Sequence, residues 1–318
     1  MLSRTADNLY WVARYMERME NLARIIRVAD RLSLMPVSPP GAGADSAGDE
    51  WQSAIIVSGT SEGFYAKYEE ATPEAVISYI AFDPENPSSI RSCIERARHN
   101  GRAIRTALTT EMWDCLNTTW LELPKWDESH VRGSGLHRFL DWVKDRALLF
   151  FGGTQATMLR RDSYYFAQLG TFIERGDNTA RILDVKYHIL LPEHAPVGSA
   201  VDYYQWSSIL RAVSGFRSYY VLHKDGIKPW RVAEFLTIEE QMPRSLVNCM
   251  SRITENLNLL GDQYGQRHEC HRTAGRLQSR LRFSRVEDIF RQGLHEFLTE
   301  YIDQNRQLGE EISKTYLS

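Results

Sequence analysis

Cysteine is scarce in this sequence and forms no cluster. Only four cysteines occur in 318 residues, at Cys93, Cys115, Cys249 and Cys270. None of them belongs to a C-x-x-C pair, the spacing typical of zinc sites and redox motifs. Small secreted domains rely on a much denser set of disulfides. We therefore expect reduced thiols in a cytoplasmic protein, with no metal.

Long hydrophobic runs and blocks of one charge are also missing. The longest apolar run near mid-chain covers residues 147–151, whereas a membrane-spanning helix needs about 20 apolar residues. The 38 Lys and Arg nearly balance the 41 Asp and Glu, for a net charge of -3. The start of the chain has no apolar stretch behind a basic segment, so we expect no secretory signal. These absences predict a soluble protein without nucleic-acid or membrane partners.

Helical periodicity is what the sequence has in abundance. Leu9, Val12, Met16 and Met19 recur at spacings of three and four residues, which is typical of an α-helix. No stretch alternates apolar and polar residues long enough to predict a sheet. Apolar residues fall on several sides of the predicted helices, which favours a packed helical bundle. The predicted fold class is all-α.

The chain also contains an internal repeat. Residues 15–26 match residues 172–183 at an offset of 157, with six of the twelve positions identical. Background residue frequencies would give about one identity. Further matches follow in the same order, at offsets of 155 to 158, and they pair Trp51 with Trp206, Pro73 with Pro229, Pro87 with Pro243, and His137 with His295. We predict two tandem units, residues 1–157 and 158–318, related by pseudo-twofold symmetry and packed as one globular body.

A polar cluster lies on the first helix of each unit. Glu17, Asn21 and Arg24 sit at positions i, i+4 and i+7 and so share one helix face, while Arg18 lies about 100° around the helix. The second unit repeats the set as Glu174, Arg175, Asn178 and Arg181.

Two interpretations of this cluster stay open. In the structural one, Glu and Arg on adjacent helices form buried pairs that set the helix register. In the functional one, both clusters converge on a cavity where the four arginines and two asparagines bind a carboxylate or phosphate. Glu17 or Glu174 would then orient an amine or act as a base, which makes these two the candidate catalytic residues.

Other chemistry-bearing residues favour a structural interpretation. His137 and His295 match between the units, but a single histidine on an apolar helix is usually a packed residue. The segment His268 to His271 is rich in metal-ligand types but lacks the spaced partners of a chelating site. Cys93 and Cys249 lie at core spacing, which predicts buried thiols.

Several segments resemble the alpha-E domain family. Four segments resemble family motifs: the opening of the chain, the Glu17-Arg18 dipeptide with Asn21-x-x-Arg24, the segment 86–90 and the tripeptide Pro243-Arg244-Ser245. The resemblance extends over essentially the whole chain. It implies a helical fold and a Glu-Arg motif.

The resemblance also implies partners. Alpha-E proteins are associated with circularly permuted ATP-grasp proteins and with transglutaminase-like peptidases. ATP-grasp enzymes join a carboxylate to an amine through an acyl phosphate. This chain has no glycine-rich phosphate loop of its own, so we expect no bound cofactor. The expected function is a non-catalytic helical partner or substrate-positioning protein for an ATP-grasp peptide or amide ligase. The alternatives are an enzyme of amide-bond formation or modification that uses the duplicated Glu-Arg clusters, and a generic helical protein-interaction scaffold.

Overall fold

The protein is all-helical in a computed structural model that describes residues 1–34, 49–127, 131, 133–189 and 200–318. Within these ranges there is no β-strand, which confirms the all-α prediction. No helix in the same ranges combines the length and the apolar character needed to cross a membrane.

The first half of the chain contains seven α-helices in its described residues. They are α1 Ser3–Ser33, α2 Asp49–Ser58, α3 Ser61–Tyr65, α4 Pro73–Ile77, α5 Ile90–Ala103, α6 Thr110–Glu122 and α7 Ser134–Thr157. A π-helical turn continues α4 over Ser78–Phe82, and 3-10 turns follow α5 and α6 at Arg105–Ala107 and Leu123–Lys125.

The second half follows the same order of long and short helices. They are α8 Asp162–Ile189, α9 Ala200–Ala212, α10 Phe216–Leu222, α11 Pro229–Thr237, α12 Leu246–Tyr264, α13 Glu269–Phe283, α14 Val286–Gln292 and α15 Leu294–Ile312. In the order of elements, the short helix α14 comes between α13 and α15, as the 3-10 turn at Leu123–Lys125 comes between α6 and α7. The pseudo-twofold relation between the halves, and the division at residue 157, stay predictions.

Matching polar residues begin matching helices. Ser89 precedes α5 and accepts a hydrogen bond from the amide of Ser92 at 3.1 Å. Ser245 precedes α12 and accepts one from the amide of Asn248 at 3.2 Å. A serine in this position satisfies an amide that the helix leaves without a partner. Pro73 and Pro229 open α4 and α11, where the missing N–H of proline has no cost.

Helices α1 and α8 form the centre of the molecule and run parallel to each other. The amino group of Met1 lies 3.3 Å from the carboxylate of Asp162 at the start of α8, and Glu174, nearly midway along α8, binds residues midway along α1. α5, α2 and α7 also pack on α1, and α12 and α15 pack on α8. A helix surrounded in this way is apolar on most sides, which explains why apolar residues surround most of α1.

The two central helices approach closely where Gly170 faces α1. A Cβ atom on Gly170 would lie 2.1 Å from the backbone oxygen of Tyr10, far inside van der Waals contact. The glycine therefore permits the backbone contact that places the polar residues of α1 and α8, one to two turns further on, against each other.

Candidate functional site

Glu17 lies fully buried between the central helices, and two arginines bind its carboxylate. Arg175 of α8 donates from Nε and Nη2 at 3.1 and 2.8 Å. Arg244, just before α12, donates from Nη1 at 2.7 Å. Burial by itself raises the pKa of Glu17, but the two guanidinium groups outweigh it and lower the pKa to about 2. The carboxylate is therefore ionised throughout the neutral range.

Glu174 has the corresponding environment on α8. Arg18 donates from Nε and Nη2 at 2.6 and 3.0 Å, and Arg14 donates from Nε at 2.8 Å. Burial again acts to raise the pKa of Glu174, and the charges of Arg18 and Arg14 lower it to about 2. Both carboxylates are bound by forked donors, the strongest geometry for this pair of groups.

The arginines that bind each glutamate come from the other half of the chain. Glu17 in the first half is bound by Arg175 and Arg244, which both belong to the second half. Glu174 in the second half is bound by Arg14 and Arg18, which both belong to the first. Each half therefore neutralises a buried charge of its partner.

The second arginine at each glutamate does not follow the repeat. At the repeat offset, Arg244 matches Ser88, and Arg14 matches Thr171. Ser88 Oγ lies 3.5 Å from Nη1 of Arg18, so it sits in the corresponding place without a charge. Each glutamate is therefore bound by two arginines, but the second arginine comes from positions that do not correspond in the repeat.

A second acidic residue extends the cluster around Glu17. Glu20 is fully buried and accepts from Arg244 Nη2 at 2.8 Å and from Nε of Arg24 at 3.2 Å. Arg24 Nη1 also donates to the backbone oxygen of Ala212 and to Ser214 Oγ, both at 2.7 Å. In the second half, the matching Arg181 donates to Asp177 at 2.7 Å but is one-third exposed. The first-half end of the cluster is the more deeply buried one.

The two asparagines of the predicted site lie beside these pairs without completing them. Asn21 and Asn178 are buried, and Asn21 Oδ1 and Asn178 Nδ2 have no hydrogen-bond partner among the described residues. The predicted set is thus divided. Its glutamates and Arg18 and Arg175 meet across the central helices, while its asparagines do not bind the carboxylates.

This arrangement favours the structural interpretation of the Glu-Arg clusters. A general base works best with a pKa near the operating pH and needs access to the proton that it takes. Glu17 and Glu174 have neither property, since their pKa values are about 2 and their side chains are 0% and 4% exposed. Breaking such a buried pair singly is costly because it leaves an uncompensated charge.

Arg175 connects the buried cluster to a large groove. The groove has a volume of about 1120 Å³ and lies between α7, α8 and α12. The guanidinium carbon of Arg175 lies 5.2 Å from the ring centre of Phe172 and 5.6 Å from that of Phe151, within cation–π range. Other prominent residues that line the groove are Leu148, Arg160, Tyr164, Arg252 and Leu259.

The histidines and cysteines have structural environments. His137 lies 3.4 Å from Asp30, and His295 lies 2.7 Å from Asp184, each against the first helix of its own half. His271 accepts the amide hydrogen of His268 and donates from Nε2 to a backbone oxygen of α12 at 2.9 Å. Across the described ranges, no group of three or more potential ligands could hold a metal ion.

The buried thiols follow the same pattern. Cys93 and Cys249 are fully buried, and burial raises the pKa of each to about 12. A thiolate is the reactive form of cysteine, so neither side chain is suited to act as a nucleophile near neutral pH.

Two arginines of the site were not among the residues predicted from the sequence. Arg14 binds Glu174, and Arg244 binds Glu17 and Glu20. Arg14 stands one turn before Arg18, and Arg244 lies within the Pro243-Arg244-Ser245 tripeptide. The repeat could not reveal them, because their matches, Thr171 and Ser88, carry no charge.

Comparison with known proteins agrees with this description. No curated protein and no solved structure matches the chain. A family model described as Alpha-E, a predicted alpha-helical domain with a conserved ER motif, matches residues 1–317. The Glu-Arg pairs Glu17-Arg18 and Glu174-Arg175 lie within this matched region. The chain therefore belongs to the Alpha-E family.

Proposed function

We propose that this protein is a non-catalytic helical partner that positions substrate for an ATP-grasp peptide or amide ligase. The observation that carries the proposal is the saturation of Glu17 and Glu174, each bound by two arginines in a buried interface. Carboxylates held in this way fix the register of the helix pair, and their pKa values of about 2 make them poorly suited to act as bases. The ligase as partner rests on the resemblance to the alpha-E family.

We also propose that the body consists of two copies of one unit related by a pseudo-twofold axis. The reciprocal pairs Arg175–Glu17 and Arg18–Glu174 support this arrangement, because they join matching positions in opposite directions. The shared order of long and short helices in the two halves supports this arrangement as well. Such a body presents a rigid surface to a partner, because the reciprocal ion pairs join the two copies in its core.

The groove between α7, α8 and α12 is the proposed site for substrate. Its volume of about 1120 Å³ exceeds that of most small-molecule pockets, which are about 300–1,000 Å³. Leu148 and Leu259 line it with 53% and 39% of their surface exposed. Its charged lining residues are Arg160, Arg175 and Arg252 together with Glu240 and Glu255. Arg252 pairs with Glu255 and Arg175 pairs with Glu17, both at 2.8 Å. Arg160 beside the apolar anchors therefore suits an extended peptide that carries a carboxylate.

Arg160 is the groove residue best placed to receive such a carboxylate. It stacks on Tyr164, with its guanidinium carbon 4.0 Å from the ring centre. Its Nη2 donates to the backbone oxygen of Gln155 at 2.9 Å, and no ion pair occupies it among the described residues. A stacked guanidinium with remaining donors binds a carboxylate through charge-assisted hydrogen bonds.

Association with the ligase tests the proposal. The chain and a circularly permuted ATP-grasp protein from the same organism would be mixed with and without ATP and analysed by size-exclusion chromatography with light scattering. We expect a stable complex in at least one nucleotide state. Failure to associate in every state would contradict the proposal.

The groove itself is tested by a matched pair of charge reversals. Arg160→Glu reverses the charge of the residue proposed to receive the carboxylate and is expected to weaken binding of an acidic substrate peptide. Arg272→Glu makes the same change on α13, where the side chain is 84% exposed, and should leave binding unchanged. Equal effects of the two variants would show that the groove is not the site.

The enzymatic alternative predicts a different result at Glu17. If Glu17 were a catalytic base, Glu17→Gln would keep the stability of the wild type and abolish turnover. The non-catalytic proposal expects this variant to lose stability, because Arg175 and Arg244 then lack the carboxylate that neutralises them.

A further inference from the structure

A second cavity lies beside the C-terminal part of α1, and all of its charged lining residues are cations. Its volume is about 510 Å³, and it is enclosed by residues of α1, α7, α9, α10 and the turn between the last two. The charged side chains that line it are Arg24, Arg27, Arg31, Lys144, Arg211 and Arg217. No acidic residue is among the described residues that line it.

Three of these six cations already have acidic partners. Arg24 is paired with Glu20 behind the cavity wall. Arg27 and Lys144 share Asp141, at 3.0 and 3.1 Å. Two carboxylates therefore serve three cations, which leaves this side of the cavity with an excess positive charge.

The other three cations have no ion pair with any residue that the structure describes. They are Arg31 near the end of α1, Arg211 at the end of α9 and Arg217 at the start of α10. Burial, followed by the charges of Arg27 and Arg211, lowers the pKa of Arg31, which reflects how closely the positive groups are gathered. Like charges held together without counter-charges cost free energy, and a bound anion would remove that cost.

The wall of the cavity adds an apolar face and a fixed positive charge. The guanidinium carbon of Arg211 lies 3.9 Å from the ring centre of Phe216, so the ring holds this side chain in place. At the base, Arg24 is 9% exposed, and its Nη1 is held by Ser214 and the backbone oxygen of Ala212. Ser214 has a φ of 54°, a conformation that is uncommon for residues other than glycine and occurs where surrounding structure enforces it.

We propose that this cavity binds a small molecule through a diphosphate group. Three arginines without ion pairs to described residues, on three separate helices, line this one cavity. A diphosphate has enough acceptor oxygens to bind all three at once, whereas a single carboxylate has only two oxygens. The combined charge of the three arginines matches that of a diphosphate near neutral pH. The volume of about 510 Å³ lies within the range of small-molecule sites, with Phe216 available to an apolar part of the ligand. This site is separate from the groove and does not depend on the proposed function.

Calorimetric titration of the full chain tests the site, with inorganic pyrophosphate as the probe at low salt. We expect saturable binding with one pyrophosphate per chain, which weakens as salt is added. Arg31→Gln, Arg211→Gln and Arg217→Gln should each weaken it by about tenfold, the effect of one charge-assisted hydrogen bond. These side chains lie at the surface, so thermal unfolding should show that the variants remain folded.

Two controls decide what the site recognises. Arg291→Gln removes an arginine that is 78% exposed on α14, away from the cavity, and should leave pyrophosphate binding unchanged. Citrate, a polycarboxylate of similar charge, should bind at least about tenfold more weakly than pyrophosphate, because its charge is spread over three separate carboxylates on a branched carbon framework, whereas the two phosphates of pyrophosphate share one bridging oxygen. The proposal is overturned if pyrophosphate shows no saturable binding, if Arg291→Gln weakens it as much as the cavity variants do, or if citrate binds as tightly.

Discussion

Arg175 of α8 binds Glu17 of α1 through two donors, with Nε and Nη2 lying 3.1 and 2.8 Å from the two carboxylate oxygens. The residues are 158 positions apart in the chain. Arg18 binds Glu174 in the reverse direction, also with two donors. The Glu-Arg dipeptide of each half is therefore divided between two ion pairs, one in each direction across the central helices.

Replacement of one buried glutamate should lower the stability of the protein. Glu17→Gln removes a buried negative charge and leaves Arg175 without its partner. Breaking a buried pair on one side costs about 3–5 kcal/mol, so we expect a loss of that order in the free energy of unfolding. Urea unfolding followed by tryptophan fluorescence measures it. Glu310→Gln is the control, because Glu310 pairs with Arg306 at an exposed site and should change stability by about 0–1 kcal/mol.

The free energy of unfolding should depend on pH in the acid range. The folded-state pKa of Glu17 and of Glu174 is about 2, below the ordinary value of 4.5. A depressed pKa means that the stability from these groups is present above pH 4.5 and is lost as the pH falls from 4.5 towards 2. We expect the free energy of unfolding to decline through this window, and to decline less steeply in Glu17→Gln, because one titrating group is gone. Equal slopes for wild type and variant would contradict the assignment.

The close approach of α1 and α8 should leave no room for a side chain at Gly170. A Cβ atom added at Gly170 would lie 2.1 Å from the backbone oxygen of Tyr10, where no flexible side chain can move aside. We expect Gly170→Ala to destabilise the protein by about 1–3 kcal/mol, the usual cost of overpacking. A Cβ atom added at Gly275 of α13 would meet no atom within 4 Å, so Gly275→Ala should instead stabilise the protein by about 0.5–1 kcal/mol. Thermal unfolding of both variants provides the comparison.

The two predicted units should depend on each other for cooperative folding. Each half carries a buried glutamate that only the other half neutralises. We expect fragments 1–157 and 158–318 to lack cooperative unfolding when separate and to regain it when mixed. Circular dichroism during thermal unfolding measures this. Two fragments that each unfold cooperatively and do not associate would show that the reciprocal pairs are not required for folding.

The sequence was sufficient for the helical fold and for the choice of the central polar residues. Helix formation depends on periodicity and on caps such as Ser89 and Ser245, which act within a few residues of each other. Comparison of the two halves identified Glu17, Arg18, Glu174 and Arg175, because a repeat preserves positions wherever a requirement is shared. It could not identify residues that only one half contributes, which is why Arg14 and Arg244 were missed.

The sequence alone determined that the chain is helical and that each half has its own glutamate and arginine at one place on its first helix. Only the tertiary structure decided which arginine binds which glutamate, how deeply the pairs are buried, and where the groove and the cationic cavity lie. The physical reason is that partner choice and burial depend on contacts between residues far apart in the chain. Arg244 and Glu17 are separated by 227 positions, and their contact exists only once α1, α8 and α12 have packed together.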